Sequence, residues 1–240
     1  MDSSNSSVVL SARCQSSCLK ENSGVHGDSA VTKRGGLGVT VEVILAGKEL
    51  WDVREEVLWP GSGHKLGKVK LADDDQGYHF AARLDDTGEI IGVVSLFPYV
   101  DKSGECVLGV AQLRKFAVKE QDSQGRKTRG QGIGKLLVQE LLRTAARMRE
   151  SLGIEAVFCT ARSEVQGFYE KNEFHVVPGE VPKANPKYPE GGFYVDMVHE
   201  LSHPTKLDSR NSSAVLLGRC QSSCLKEKSG VQRDSAVTKR

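Results

Sequence analysis

Arg129, Gly130, Gln131, Gly132, Ile133, Gly134 and Lys135 place three glycines at alternate positions between two basic residues, directly ahead of an apolar-periodic run over residues 136–148. Glycines so spaced let the backbone turn sharply and leave several N–H groups unobstructed. Those groups can converge on phosphate oxygens at a helix N-terminus, which carries roughly half a positive charge. The chemistry that suits such a cradle is the holding of a pyrophosphate. A Walker A loop needs a glycine five residues before the Gly-Lys pair and a Ser or Thr after it, positions that Arg129 and Leu136 fill here. A dinucleotide fingerprint spreads its glycines as G-x-G-x-x-G, with an acidic residue about 20 residues on, which Gly130, Gly132 and Gly134 do not match. A glycine-rich turn capping an ordinary helix is the plain alternative.

The pattern that fits without a gap is Arg or Gln, two residues, Gly, one residue, then Gly or Ala, on Arg129, Gly132 and Gly134. In this the chain resembles the coenzyme A pyrophosphate loop of the GNAT acyltransferases. The flanks agree with the resemblance. Leu113, Arg114, Lys115, Phe116, Ala117 and Val118 read as a strand before the cradle, and Ile154, Glu155, Ala156, Val157, Phe158 and Cys159 as one after the helix. Gly167, Phe168, Tyr169, Glu170, Lys171, Asn172, Glu173 and Phe174 then resemble the family's aromatic pair, turn and closing Phe, except that Glu173 stands where the family carries Gly. If that turn needs a positive φ, Glu173 costs about 1 kcal/mol.

Over residues 37–207 the resemblance implies a GNAT-like α/β fold, in which a mixed, mostly antiparallel sheet with a central splayed parallel strand pair carries helices on both faces. It implies acetyl-CoA as cosubstrate and transfer of an acetyl group to an amine of a small molecule or peptide, by direct attack in a ternary complex. The pantetheine arm would pair with the free backbone of Phe116, Ala117 and Val118. One N–H there would polarise the thioester carbonyl. Arg129, Gly130, Gln131, Gly132, Ile133, Gly134 and Lys135 would hold the pyrophosphate. Tyr169 would be the catalytic acid that protonates the leaving thiolate, as against only packing its helix on the sheet. No base stands out: Glu105, Glu120, His79 and a water chain are all open. Arg162, whose planar fork suits a carboxylate or phosphate, and His79 are the side chains offered to substrate. Tyr194 occupies the place of a histidine in a related terminal-strand motif. The alternatives are a non-catalytic CoA-binding module, transfer of another acyl group, or a hydroxyl acceptor.

The elements that must position these residues can be read in order. A strand over 39–45 is followed by a helix over 48–58 with Leu50, Val53, Arg54 and Val57 along one side, which Trp59, Pro60 and Gly61 end. Strands over 79–84 and 89–97 read as a hairpin around Asp85, Asp86, Thr87 and Gly88. A last strand covers 193–198. Between Val118 and Arg129, residues 119–128 exceed the family's usual connection and read as a polar loop whose Arg126 and Lys127 are either solvated or, with Arg129 and Lys135, cations for the ribose phosphate.

Outside this domain the chain repeats itself: residues 2–34 and 208–240 align without gaps. The copies are Ser-rich with few large apolar residues, so residues 1–36 and 208–240 are expected to be disordered tails around a single domain at 37–207. Residues 2–34 hold four basic and three acidic side chains and residues 208–240 seven and three, so the copies carry +5 and the remainder about −3 of a net charge of +2. Without interleaved aromatics, that basic tail argues for a solvated segment over nucleic-acid binding. Cys14, Cys18, Cys220 and Cys224 form two C-x-x-x-C pairs, for which a zinc site, a regulatory disulfide and unpaired thiols all stand open, with no metal as the expectation. Cys106 and Cys159, in apolar strand contexts, are expected to be buried inert thiols. No run of about 18 apolar residues or secretory leader is present, so the expectation is a cytoplasmic protein with access to the nucleus and no membrane partner.

Overall fold

The computed structural model describes residues 30–34, 37–101, 103–184 and 192–201. The expected disordered tails lie almost wholly outside them, as do Cys14, Cys18, Cys220 and Cys224. The strands are β1 (Ala30–Arg34), β2 (Leu37–Ile44), β3 (Tyr78–Leu84), β4 (Ile90–Val100), β5 (Cys106–Val118), β6 (Ala156–Arg162), β7 (His175–Val176), β8 (Lys183–Ala184) and β9 (Phe193–Glu200). The α-helices are α1 (Lys48–Leu58), α2 (Ile133–Leu152) and α3 (Gln166–Glu170). The sheet runs β1-β2-β3-β4-β5-β6-β9-β7, with β8 beside β9, and every pairing is antiparallel except β5 with β6. This is the mixed α/β sheet expected from the sequence. No helix among the described residues is long and apolar enough to cross a membrane.

Alternation along the strands divides the core between the two faces. Phe80, Ala82, Ile91 and Val94 pack with Leu137, Val138 and Leu141 of α2, whereas Ala81, Ile90, Val93 and Ala117 pack with Leu50 and Val53 of α1. Gly47 precedes α1 without a side-chain cap, and the helix stops at Trp59, ahead of Pro60 and a left-handed Gly61 with φ 72°. α2 closes on Gly153 at φ 68°, the usual left-handed C-terminal glycine.

Ala30–Arg34, assigned by its composition to the N-terminal tail, is instead a strand, paired from Ala30↔Val41 to Arg34↔Leu37. The signal was present: Gly35 and Gly36 separate two runs that contain β-branched residues, the pattern of a two-residue hairpin.

The feature that positions the site lies between β5 and β6. Their parallel register holds only from Val110↔Ala156 to Gln112↔Phe158. Beyond it β5 stays paired with β4 as far as Val118 and β6 with β9 as far as Arg162. Leu113 through Val118 therefore have no β6 partner, and the sheet splits there.

Candidate active site

The split opens into a cleft of about 1290 Å³. Phe116, Ala117 and Val118 line it from β5, Arg129, Gly130, Gly132, Gly134 and Lys135 from the cradle, Arg162 from the end of β6, and Tyr169 from α3. These are ten of the thirteen residues expected at the site. Gln131 is half-buried and Ile133 is buried in the core against the sheet, so neither lines the cleft.

The cradle has the backbone that its glycines predict. Gly130 and Gly132 lie at φ 85° and 82°, conformations that an L side chain adopts only with strain. A Cβ on Gly130 would meet nothing within 4 Å, so its backbone faces open space. The first intrahelical bond runs from the Leu136 N–H to the Gly132 carbonyl at 3.1 Å, which leaves the N–H groups of Ile133, Gly134 and Lys135 without a helical acceptor. An added Cβ on Gly134 would lie 3.0 Å from Phe116 Cζ and 3.4 Å from Phe168, so this glycine permits close packing of helix on strand. A cleft of this volume beside a helix N-terminus and an unpaired strand fits an elongated thioester cosubstrate with a pyrophosphate.

Residues 119–128 are a folded device and not a free loop. Gln121 bridges Lys127, and the Asp122 carboxylate accepts from the N–H groups of Gln124 (3.0 Å) and Arg126 (2.8 Å) and from Arg126 Nε (2.5 Å). Arg126 also donates to both carboxylate oxygens of Asp86, at 2.5 and 3.2 Å, and these two carboxylates raise its already high pKa. It is thus committed to the protein and not free as a phosphate cation. The Ser123 N–H donates to Glu89, and Lys119 pairs with Glu56 and Glu89 at 2.8 and 3.1 Å. Thr128, fully buried, donates its hydroxyl to the Lys119 carbonyl, which fixes the chain just ahead of Arg129. Arg129 itself is paired with Glu120 and remains more than half exposed.

Tyr169 is 6 % exposed and sits in an aromatic cluster, edge-on to Phe116, Phe168 and Phe174 with centroids 6.4, 5.3 and 5.5 Å away. Burial pushes its phenol well above the usual range, so it stays protonated and holds a proton to donate, with no phenolate to serve as a base. Cys159 is a buried free thiol whose pKa burial also raises strongly, with Asp196 adding to it. Cys106 departs from expectation: it is half-buried and disulfide-bonded. Glu173 adopts φ 65°, the left-handed turn at which glycine would be free of strain.

His79 is corrected as a substrate residue. It is 1 % exposed, with Nδ1 2.8 Å from Ser95 Oγ and Nε2 2.7 Å from the Asp74 carbonyl oxygen, and it does not line the cleft. Both bonds belong to a buried network around Arg54, which donates to Asp74 at 2.8 Å, to the Val69 carbonyl at 3.0 Å and to Ser95 at 2.9 Å. Glu105 and Glu120 do not line the cleft either. The residue missed in the sequence is Lys115. It lines the cleft beside Trp59, its ammonium 4.1 Å from the indole ring and 2.7 Å from the Lys68 carbonyl oxygen, and burial depresses its pKa to about 8. No sequence signal marks it, because the segment that covers it arrives from the 60–77 connection.

Residues 75–176 match the family model described as acetyltransferase (GNAT) domain. The chain carries a GNAT acetyltransferase domain. The matched span of this GNAT domain contains the split strand β5, the cradle, α2 and Tyr169, while α1, Trp59 and β9 lie outside it. Solved structures similar to the chain include an acyl-CoA N-acyltransferase from Pseudomonas aeruginosa, 19% identical with a TM-score of 0.46, covering 68% of this chain and 99% of the other. Escherichia coli ElaA is 14% identical with a TM-score of 0.48 at the same coverages. A GNAT family acetyltransferase from Elizabethkingia anophelis with acetyl-CoA bound is 17% identical with a TM-score of 0.43, covering 68% of this chain and 98% of its own. No curated protein matches the chain.

Proposed function

We propose that this GNAT domain is an acetyl-CoA-dependent N-acetyltransferase that acetylates an amine of a small molecule or peptide by direct attack in a ternary complex, in the cytoplasm. The observation that carries the reading is the unpaired edge of β5 next to the α2 N-terminus, with both facing one cleft. Phe116, Ala117 and Val118 offer backbone groups to an extended pantetheine. The free N–H groups at Ile133, Gly134 and Lys135 offer donors to the pyrophosphate, with Arg129 and Lys135 as nearby cations. An N–H of the β5 segment stabilises charge as it develops on the thioester oxygen. Tyr169 protonates the sulfur as the C–S bond breaks, and Arg162, exposed at the cleft wall, receives an anionic group of the acceptor or coenzyme.

An acyl-cysteine route lacks support, because the one cysteine on β6, Cys159, is buried and its thiol is held protonated. The test is thiol release from acetyl-CoA by the full chain with a panel of spermidine, glycine, lysine, glucosamine and a lysine-containing peptide. Turnover with at least one amine, falling about 100-fold in Tyr169→Phe with coenzyme binding unchanged, is expected. Tight acetyl-CoA binding without acetyl transfer to any amine would favour a non-catalytic CoA-binding module.

A further inference from the structure

The sequence offers no base for the transfer, and the structure removes the candidates it named: His79 is buried and fully bonded, and Glu105 and Glu120 lie off the cleft. We propose, on the N-acetyltransferase reading above, that Lys115 in its neutral form is the catalytic base, taking the proton from the acceptor amine as that nitrogen attacks the acyl carbonyl.

Placement carries the argument. Val93 pairs with Ala117 and Ser95 with Arg114, so Lys115 and Phe116 together oppose Val94, and β5 bulges where it has just lost its β6 partner. Lys115 takes φ 55° at that bulge, a conformation costly to an L residue and of the kind found where strain serves a site. Its side chain is thereby directed to Trp59 and the Lys68 carbonyl, within the same cleft as Tyr169. The neutral amine keeps an N–H for that carbonyl and has its lone pair free. The carboxylate that does line the cleft, Glu164, stands on the far side of the gap, in the turn after β6.

The groups that face Lys115 favour this protonation state. Burial is the main cause that lowers its pKa, and the positive charges of Arg114 on β5 and Arg54 on α1 lower it further. Asp74 and Asp73, in the connection before β3, pull it back up, and the net value is about 8. At pH 8 about half of the molecules therefore hold a neutral amine, against roughly one in 300 for an ordinary lysine.

The transfer then balances. The acceptor nitrogen bonds to the acyl carbon, the C–S bond breaks with its electron pair on sulfur, one amine proton passes to Lys115 Nζ, and the sulfur takes a proton from Tyr169. Exchange with solvent restores both side chains, so the net products are the amide and the free thiol.

The test uses the full chain and Lys115→Arg, which keeps the charge and the Trp59 contact but cannot accept a proton near neutral pH. Competitive acetic anhydride labelling across pH, read by peptide mass spectrometry, gives the titration of Lys115 itself. Acetyl-CoA calorimetry checks that the variant is folded and binds. The proposal expects a labelling midpoint near pH 8 and acetyl-CoA affinity within threefold of wild type. With the best amine of the panel, Lys115→Arg should lose about 100-fold in kcat and the rise in kcat/KM through pH 8. Lys115→Arg turning over within threefold of wild type, or an ordinary lysine midpoint in the labelling, overturns it. A wild-type chain that does not bind acetyl-CoA overturns the acyltransferase reading and this proposal with it, whereas wild-type turnover with an active Lys115→Arg overturns this proposal alone.

Discussion

Asp74→Ala tests whether the buried network beside the cleft is what seats its α1 side. The Asp74 carboxylate accepts from Arg54 at 2.8 and 3.0 Å, from Trp51 Nε1 at 3.0 Å and from the Leu71 N–H at 2.9 Å. Arg54 is completely buried, so removing its carboxylate leaves a guanidinium with only the Val69 carbonyl and Ser95 hydroxyl, and its Nε already lacks a partner. Breaking a buried pair from one side costs about 3–5 kcal/mol, and the two remaining acceptors point to the lower end. At about 2–4 °C per kcal/mol for a domain of this size, a fall in Tm of roughly 6–12 °C is expected in differential scanning fluorimetry or calorimetry. Asp74→Asn, which keeps an acceptor without the charge, should fall between. Because Val69 follows Lys68, whose carbonyl holds Lys115, the variant should also change how Lys115 titrates. A drop of less than about 2 °C in Asp74→Ala would refute the reasoning, since it would mean that Arg54 is satisfied without its carboxylate.

Glu173→Gly should stabilise the chain by about 1 kcal/mol in urea denaturation, because Glu173 sits at φ 65° and is exposed; destabilisation would show that its side chain has a role beyond the turn. His79 is held below its ordinary 6.5 chiefly by burial. The unfolded chain therefore takes up that proton first as pH falls, so stability should be full above about pH 6.5 and decline below it, less steeply in His79→Gln at matched Tm; a profile flat from pH 7 to 5 contradicts this. Gly134→Ala sets a helix-propensity gain of about 1 kcal/mol against about 1–3 kcal/mol of overpacking at Phe116. Stability should change by less than about 2 kcal/mol while acetyl-CoA affinity falls as Phe116 is displaced, and unchanged affinity would detach Phe116 from the coenzyme site.

The cradle and the elements around it were legible because their signals are local. Gly130 and Gly132 mark a backbone that only glycine adopts freely, Gly134 marks a close approach of helix to strand, and the apolar periodicity of α2 follows at once. The aromatic helix with Tyr169 was legible in the same way. Residues 119–128 were not, since Asp122 and Arg126 look like solvated charges until the chain folds back and Asp86 and Glu89 arrive from the β3–β4 turn. β1 was hidden by the polar composition of the repeat around it. His79 was unreadable as a structural residue because its partners, Asp74 and Ser95, come from two other segments. The seat of Lys115 depends on a bulge register and on the 60–77 connection, neither of which leaves a local pattern.

The central claim is that the split strand and the cradle together bind the coenzyme, and calorimetric titration of the full chain with acetyl-CoA and with desulfo-CoA, beside Gly132→Glu, tests it most directly. Gly132 lies at φ 82° ahead of the first helical residue, so Glu there adds backbone strain and a negative charge where phosphate would sit. Binding of both ligands in the micromolar range, abolished in a variant that remains folded by circular dichroism, is the predicted result. No heat of binding from a folded wild-type chain would contradict the account and return the glycines to an ordinary helix-capping turn.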